Sequence, residues 1–265
     1  MLITRIITAI VLGVAVTAAV LLLPTYWAVA VLAVLWTAGA WEWAGFALLE
    51  TGGRLGYVAL LIALMGATLL VLGRGLVDAM LTVAVLWWTC AFAAVLCYPR
   101  KYPMSLVVVA GVFVLLPSWV LLARLHGSGE LGHALTMTVL VIVWAADVGA
   151  YAAGRMFGRV KLAPQVSPGK TWEGVGGGLV LAAVAAWSAA RLLGLPELAL
   201  VSLGIATGLV SVLGDLTVSM FKRNVGLKDS GRLLPGHGGV MDRIDSLTAA
   251  VPVFVLGLRL AGVLA

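Results

Sequence analysis

Four aspartates carry the chemistry that this chain can offer, and all four point to a hard cation. Asp147 lies in VIVWAADVGAY and Asp215 in VSVLGDLTVSM, each inside a long apolar run. An acid in hydrocarbon costs roughly 2.5–3.5 kcal/mol on insertion scales, so it is normally kept for a partner or a cavity. Asp147 precedes Arg155 by eight residues and Asp215 precedes Lys222 by seven. Those are about 12 and 10 Å along a helix, so both acids sit toward a charged end of their runs. Asp242 and Asp245 are spaced i, i+3 in GVMDRIDS, and share one face if a helix starts there. Acids at a helix start also suit its dipole without any further role. Four carboxylates near one membrane face nevertheless form the oxygen set that suits Mg²⁺, an ion that keeps waters and bridges to substrate phosphates.

Cations accompany these acids. Lys222, Arg223, Lys228, Arg232, His237 and Arg243 crowd one polar stretch, and Lys170 sits in SPGKTWEG behind Arg155, Arg159 and Lys161. Contacts to anionic headgroups and a topological role account for Arg159, Lys161 and Arg232. For Lys170, Lys222, Arg223, Lys228 and Arg243, the acids at fixed offsets argue for more. Acids that hold a metal and cations that hold phosphate oxygens are the parts that phosphoryl-type transfer needs. Gly236, Gly238 and Gly239 frame His237, so backbone N–H groups there can approach an anion. Gly174, Gly176, Gly177 and Gly178 instead suit close helix packing in a membrane. The SPGKT segment is not a P-loop, because Pro164 stands where that pattern needs glycine. His126 and His133 flank Glu130 and read as solvated loop residues.

The elements that must position these groups are membrane helices. The chain of 265 residues is 63% hydrophobic and 11% charged, with a mean hydropathy of +1.14. A soluble globule averages about half apolar and a quarter charged. Nine apolar runs occur, at about 6–23, 25–41, 56–72, 76–97, 104–123, 134–154, 174–193, 197–218 and 246–265. Each approaches the roughly 20 residues that cross 30 Å of hydrocarbon. They lack the alternation of a barrel, so the expected fold is all-α: a polytopic bundle of about nine transmembrane helices. The first run is long for a signal peptide and is read as a retained helix. With the N-terminus in the cytoplasm, thirteen Lys and Arg fall on that side and three on the other, a strong positive-inside bias that gives N-in and C-out. The net charge of +6 has the same origin and does not imply nucleic acid. Cys90 and Cys97 lie seven apart on one apolar segment and read as small core residues, with no disulfide or metal framework. Residues 1–103 read as transmembrane scaffold. Residues 104–265 read as the chemical half of one integrated domain, with cytoplasmic loops at 155–173 and 219–245, and seven of the eleven acids lie between 147 and 245.

The run SMFKRNVGLKDSGRLLPGHGGVMDRID, residues 219–245, resembles the signature of the phosphatidate cytidylyltransferases, or CDP-diglyceride synthetases. Ser219, Lys222, Arg223, Lys228, Asp229, Gly231, Leu234, Pro235, His237, Gly238, Gly239, Asp242, Arg243 and Asp245 stand at its fixed positions. The upstream DVGAYAAGRMFGRVKLAPQVSPGKTWEG resembles the family's second characteristic stretch, whereas the N-terminal third matches only in hydrophobic character. The resemblance implies transfer of CMP from CTP to phosphatidic acid, giving CDP-diacylglycerol and pyrophosphate, at the cytoplasmic face of the inner membrane. It implies Mg²⁺ held by Asp215 and Asp242, with Asp147 and Asp245 completing the shell, and a second cation, K⁺, beside it. Lys170, Ser219, Lys222, Arg223, Lys228, Asp229, His237, Gly238, Gly239 and Arg243 would meet the substrates. It also implies a homodimer. Two rival readings remain at this point: a CTP-dependent lipid kinase of the polyprenol type, and an ion-coupled transporter. No internal repeat of the kind common in transporters is visible.

Overall fold

A computed structural model describes residues 2–71, 74–231, 233 and 238–264. Among the described residues the order is α1 Leu2–Leu22, α2 Thr25–Phe46, α3 Thr51–Leu70, α4 Arg74–Leu96, α5 Met104–His126, α6 Gly132–Phe157, β1 Lys161–Ala163, β2 Ser167–Thr171, α7 Trp172–Leu193, α8 Glu197–Asn224 and α9 Met241–Leu260. The chain is thus helical apart from one short antiparallel hairpin, whose register pairs Lys161 with Thr171 and Ala163 with Ser167. Seven of the helices, α2 to α8, are long and apolar enough to cross a membrane.

Their outer faces explain why. Leu60, Ile62 and Leu69 on α3, Val85, Leu86 and Phe92 on α4, and Val180, Val184 and Trp187 on α7 are all exposed. A surface so rich in large apolar side chains needs hydrocarbon as its solvent. The centre is built from α5 and α9. Fourteen residues of α5 are buried, and nearly every position of α9 from Ile244 to Val255 is buried too. With Asp242, Arg243, Asp245 and Arg259 in its 20 residues, α9 is less apolar than its neighbours, and it lies inside the bundle rather than along its rim.

Two close approaches hold the half that carries the chemistry. A Cβ placed on Gly149 of α6 would meet the Gly177 carbonyl oxygen of α7 at 2.5 Å, and one on Gly178 would meet the Ala146 oxygen at 2.8 Å. Only glycine allows the two backbones this near. Gly176, by contrast, faces open space, so three of the four clustered glycines serve packing. The second approach joins α8 to α9: a Cβ on Gly214 would meet the Asp245 carbonyl oxygen at 2.5 Å.

Several expected boundaries move. The last helix begins at Met241, so Asp242 and Asp245 do share its first turns. Helix α8 runs on to Asn224, which puts Ser219, Lys222 and Arg223 on a helix and not in a loop. SPGKT is the strand β2, and the Thr171 side chain at its end caps α7 by accepting from Gly174 N at 3.1 Å. The cysteines are free and both are exposed, so they face outward and are not core residues. His126 is also not a solvated loop residue. It ends α5 fully buried, 3.0 Å from the Val20 carbonyl and 3.3 Å from Thr25 Oγ1, with the His133 ring centroid 4.0 Å away and tilted by 34°. Glu130 is exposed.

Candidate active site

The predicted residues gather where four element ends meet: the last turns of α6, the strand β2, the C-terminal half of α8 and the start of α9. Up-and-down connectivity puts these ends on one side of the bundle. A pair of hydrogen bonds confirms this for the α4–α5 connection, because Tyr102 N donates to Asn224 Oδ1 and Asn224 Nδ2 donates to Tyr102 O.

Two lysine–aspartate pairs form the heart of the site. Lys170 Nζ of β2 lies 2.6 Å from Asp215 Oδ2 of α8, with both side chains about a quarter to a third exposed. One turn on, Ser219 Oγ donates to Asp215 Oδ1 at 3.1 Å. Lys222 Nζ lies 2.6 Å from Asp242 Oδ1, and here the side chains are only 9% and 10% exposed. The other oxygen of Asp242 accepts from Ser230 N at 2.9 Å and Gly239 N at 3.2 Å. Asp242 thus accepts from Lys222, Ser230 and Gly239, which fixes its orientation. Asp245 is buried behind it, with Asp215 and Asp147 as its acidic neighbours and Lys222 as its basic one. Asp147 has Lys170 and Arg243 within electrostatic reach.

Arg243, Asp147 and Asp242 mark the polar end of a cavity of about 380 Å³. Apart from Thr8, its other walls are apolar: Leu12 and Val16 of α1, Leu32 and Trp36 of α2, Leu140 and Trp144 of α6, and Ile244 and Leu247 of α9. A charged rim on an apolar slot can take a molecule with an anionic head and a hydrocarbon tail. The remaining predicted residues lie at the edge. Arg223 donates to Leu227 O at 3.0 Å and to Val166 O at 3.4 Å, so it ties α8 to the hairpin. Lys228 and Asp229 are exposed. Gly238 adopts φ 79° beside Asp242 and Asp229, a left-handed turn that favours glycine. His237, with Leu234, Pro235, Gly236 and Arg232, lies outside the described residues.

The family model for the cytidylyltransferases matches residues 3–261, almost the whole length. The chain belongs to the cytidylyltransferase family. It is 47% identical over 238 residues to the phosphatidate cytidylyltransferase of Pseudomonas aeruginosa, covering 84% of each chain. It is 43% identical over 277 residues to that of Haemophilus influenzae, covering 94% of this chain and 96% of the relative. With the enzyme of Brucella suis it shares 40% identity over 196 residues, or 71% of this chain and 68% of the relative.

In this cytidylyltransferase, a question is whether the acids fit a metal. Among the described residues, no three Asp, Glu, His or Cys side chains converge tightly enough to hold an ion unaided. Mg²⁺ usually takes one or two carboxylates and completes its shell with water and substrate phosphate. A lysine ammonium already lies against an oxygen of Asp215 and of Asp242, so both carboxylates are disposed toward positive charge. The donor set fits.

Sequence reasoning missed two residues. Glu42, near the end of α2, is only 3% exposed and accepts hydrogen bonds from Ser230, Val240 and Met241. Ser230 links it to Asp242. The available signal was an acid between two tryptophans, WEW, at the edge of an apolar run. It is the argument made for Asp147, but the second run was ended at residue 41 and left Glu42 outside it.

Proposed function

We propose that the chain transfers CMP from CTP to phosphatidic acid, forming CDP-diacylglycerol and releasing pyrophosphate, in phospholipid biosynthesis. A phosphate oxygen of the lipid attacks the α-phosphorus of CTP. One P–O bond forms there as the bond to the β-phosphate oxygen breaks, and the electron pair leaves with pyrophosphate. The lipid phosphate is already an anion, so no base has to remove a proton. The barrier is the approach of two polyanions, and this is where positioned positive charge contributes most. The observation that carries the reading is the gathering of two lysine–aspartate pairs, Lys170–Asp215 and Lys222–Asp242, with Asp242 itself lining the charged end of an apolar cavity.

Each residue has a part in that reading. Asp215 and Asp242 would hold Mg²⁺, which when bound would neutralise phosphate oxygens, and Asp147 and Asp245 face the same charge. A second cation, K⁺, would balance the remaining acids. Lys170, Lys222, Arg223 and Lys228 receive the triphosphate, with Ser219, Asp229, Gly238 and Gly239 shaping the pocket and His237 at the phosphate. Arg243, at the cavity rim, takes the lipid headgroup while the tails follow the apolar walls. The thirteen-to-three bias of Lys and Arg supports nine spans, N-in and C-out, with the site on the cytoplasmic side of the inner membrane. Apolar outer faces on α3, α4 and α7 are compatible with a homodimer within the bilayer.

Purified protein, labelled CTP, phosphatidic acid and Mg²⁺ test the function directly. Label in a lipid with release of pyrophosphate is the expected result, and chelation of divalent ions should abolish it. Release of CDP with a newly phosphorylated lipid would replace the reading with a lipid kinase. Undiminished product in the presence of chelator would remove Mg²⁺ from it.

A further inference from the structure

We infer that Glu42 is a positioning residue for this reaction: from α2, its carboxylate ties Ser230 to Val240 and Met241 and so sets where Asp242 and Asp245 point. The inference rests on the reading of Asp242 as a group that handles the phosphate-bound cation.

Three donors converge on this one buried carboxylate. Ser230 Oγ donates to Oε2 at 2.7 Å, Met241 N to Oε2 at 2.8 Å and Val240 N to Oε1 at 3.0 Å. The two amides lie at the N-terminus of α9, where backbone N–H groups lack partners within the helix. A carboxylate placed there meets both the orphan donors and the positive end of the helix dipole. Glu42 is thus a cap for α9 supplied by a helix almost 200 residues earlier in the chain. An uncompensated buried carboxylate would be costly, and here Ser230, Val240 and Met241 of the segment being held compensate it.

The clamp leads straight to the acid of the site. Ser230 donates its hydroxyl to Glu42, donates its own N–H to Asp242 Oδ2 at 2.9 Å, and accepts from Asp242 N at 3.3 Å. Gly239 donates to the same oxygen of Asp242. The surroundings are fitted to the carboxylate, because a Cβ on Gly231 or Gly239 would collide with it. Glycine at these two positions is needed for room. Only then can Ser230, Val240 and Met241 reach Glu42 while Lys222 reaches the other oxygen of Asp242.

Glu42→Gln keeps the size but turns one acceptor into a donor that faces backbone N–H. The full-length enzyme in detergent should then show faster hydrogen exchange at amides of 238–243, with α6 to α8 unchanged. Its turnover per folded molecule should fall about 10- to 100-fold, the scale for groups that orient metal-binding residues, and its Mg²⁺ requirement should rise. Glu42→Asp, which keeps the charge, should recover part of both. Should Glu42→Gln fail to fold, Ser230→Ala cuts the link with a smaller lesion and should move the same readouts in the same direction. Unchanged exchange at 238–243 overturns the clamp whatever the enzyme's chemistry. Faster exchange with full turnover and an unaltered Mg²⁺ requirement overturns its part in positioning. A wild-type protein that makes no cytidine-bearing lipid would defeat the functional reading alone and leave the exchange result standing.

Discussion

The two lysine–aspartate pairs look alike in chemistry but differ in setting, and substitution should separate them. Lys170 and Asp215 are partly exposed, where an ion pair contributes only about 0–1 kcal/mol to stability. Lys222 and Asp242 are nearly buried, and removing one member of a buried pair typically costs about 3–5 kcal/mol because the other charge is stranded. Asp215→Asn should therefore keep its melting temperature close to wild type while CMP transfer falls by about 10²- to 10³-fold, the scale of losing one preorganised electrostatic contact. Asp242→Asn should lose activity and also melt markedly lower in detergent, since its two backbone donors and Lys222 lose their anion together. Thermal shift and product formation on size-exclusion-purified protein check both. Full activity in either variant would remove that aspartate from the metal set, and equal melting shifts would contradict the difference in burial.

Helix packing places these residues, and the contact of α6 with α7 is its most demanding piece. A Cβ on Gly177 would strike Ala153 and come within 2.9 Å of the Gly149 oxygen, whereas one on Gly176 meets nothing. Gly177→Val should destabilise the protein by about 1–3 kcal/mol through overpacking and lower activity, because β2 with Lys170 leads directly into α7. Gly176→Ala should be neutral or slightly stabilising, as expected of an open helix position; equal damage from both would refute the packing role. The sequence showed this much of the fold clearly: apolar runs of bilayer length announce helices, and small residues in series announce close approach. Asp147 and Asp215 were legible because acids inside such runs need a partner or a cavity, and Asp242 and Asp245 because their i, i+3 spacing puts two more acids on one face beside them. Glu42 was not, since its reason for being buried is a set of backbone amides in a segment distant in sequence, and backbone donors leave no mark on composition. The hairpin 161–171 was read as loop for a similar reason. Its strands are too short for periodicity to register, and Pro164 and Gly169 lie in or beside them.

At the level of the whole molecule, connectivity and chemistry make one joint demand. The late turns of α2, α6 and α8 and the first turns of α9 converge on the site, and the α4–α5 connection is bonded to the end of α8 through Tyr102 and Asn224. Lys101 therefore marks the face that holds the site, while Ser128, in the α5–α6 connection, marks the opposite one; both are exposed. CTP is a cytosolic polyanion and cannot cross the bilayer unaided, whereas phosphatidic acid arrives from within the membrane, so the proposed reaction needs the site on the cytoplasmic face. The charge bias favours the same side independently. With Cys90 and Cys97 first replaced by Ala, Lys101→Cys should react with a membrane-impermeant thiol reagent only after cells are permeabilised, and Ser128→Cys should react in intact cells. The reverse pattern would put the aspartates on the outer face, away from CTP, and would overturn the N-in orientation. Labelling of both positions from one side would break the up-and-down order of α5 on which the shared end of the bundle depends.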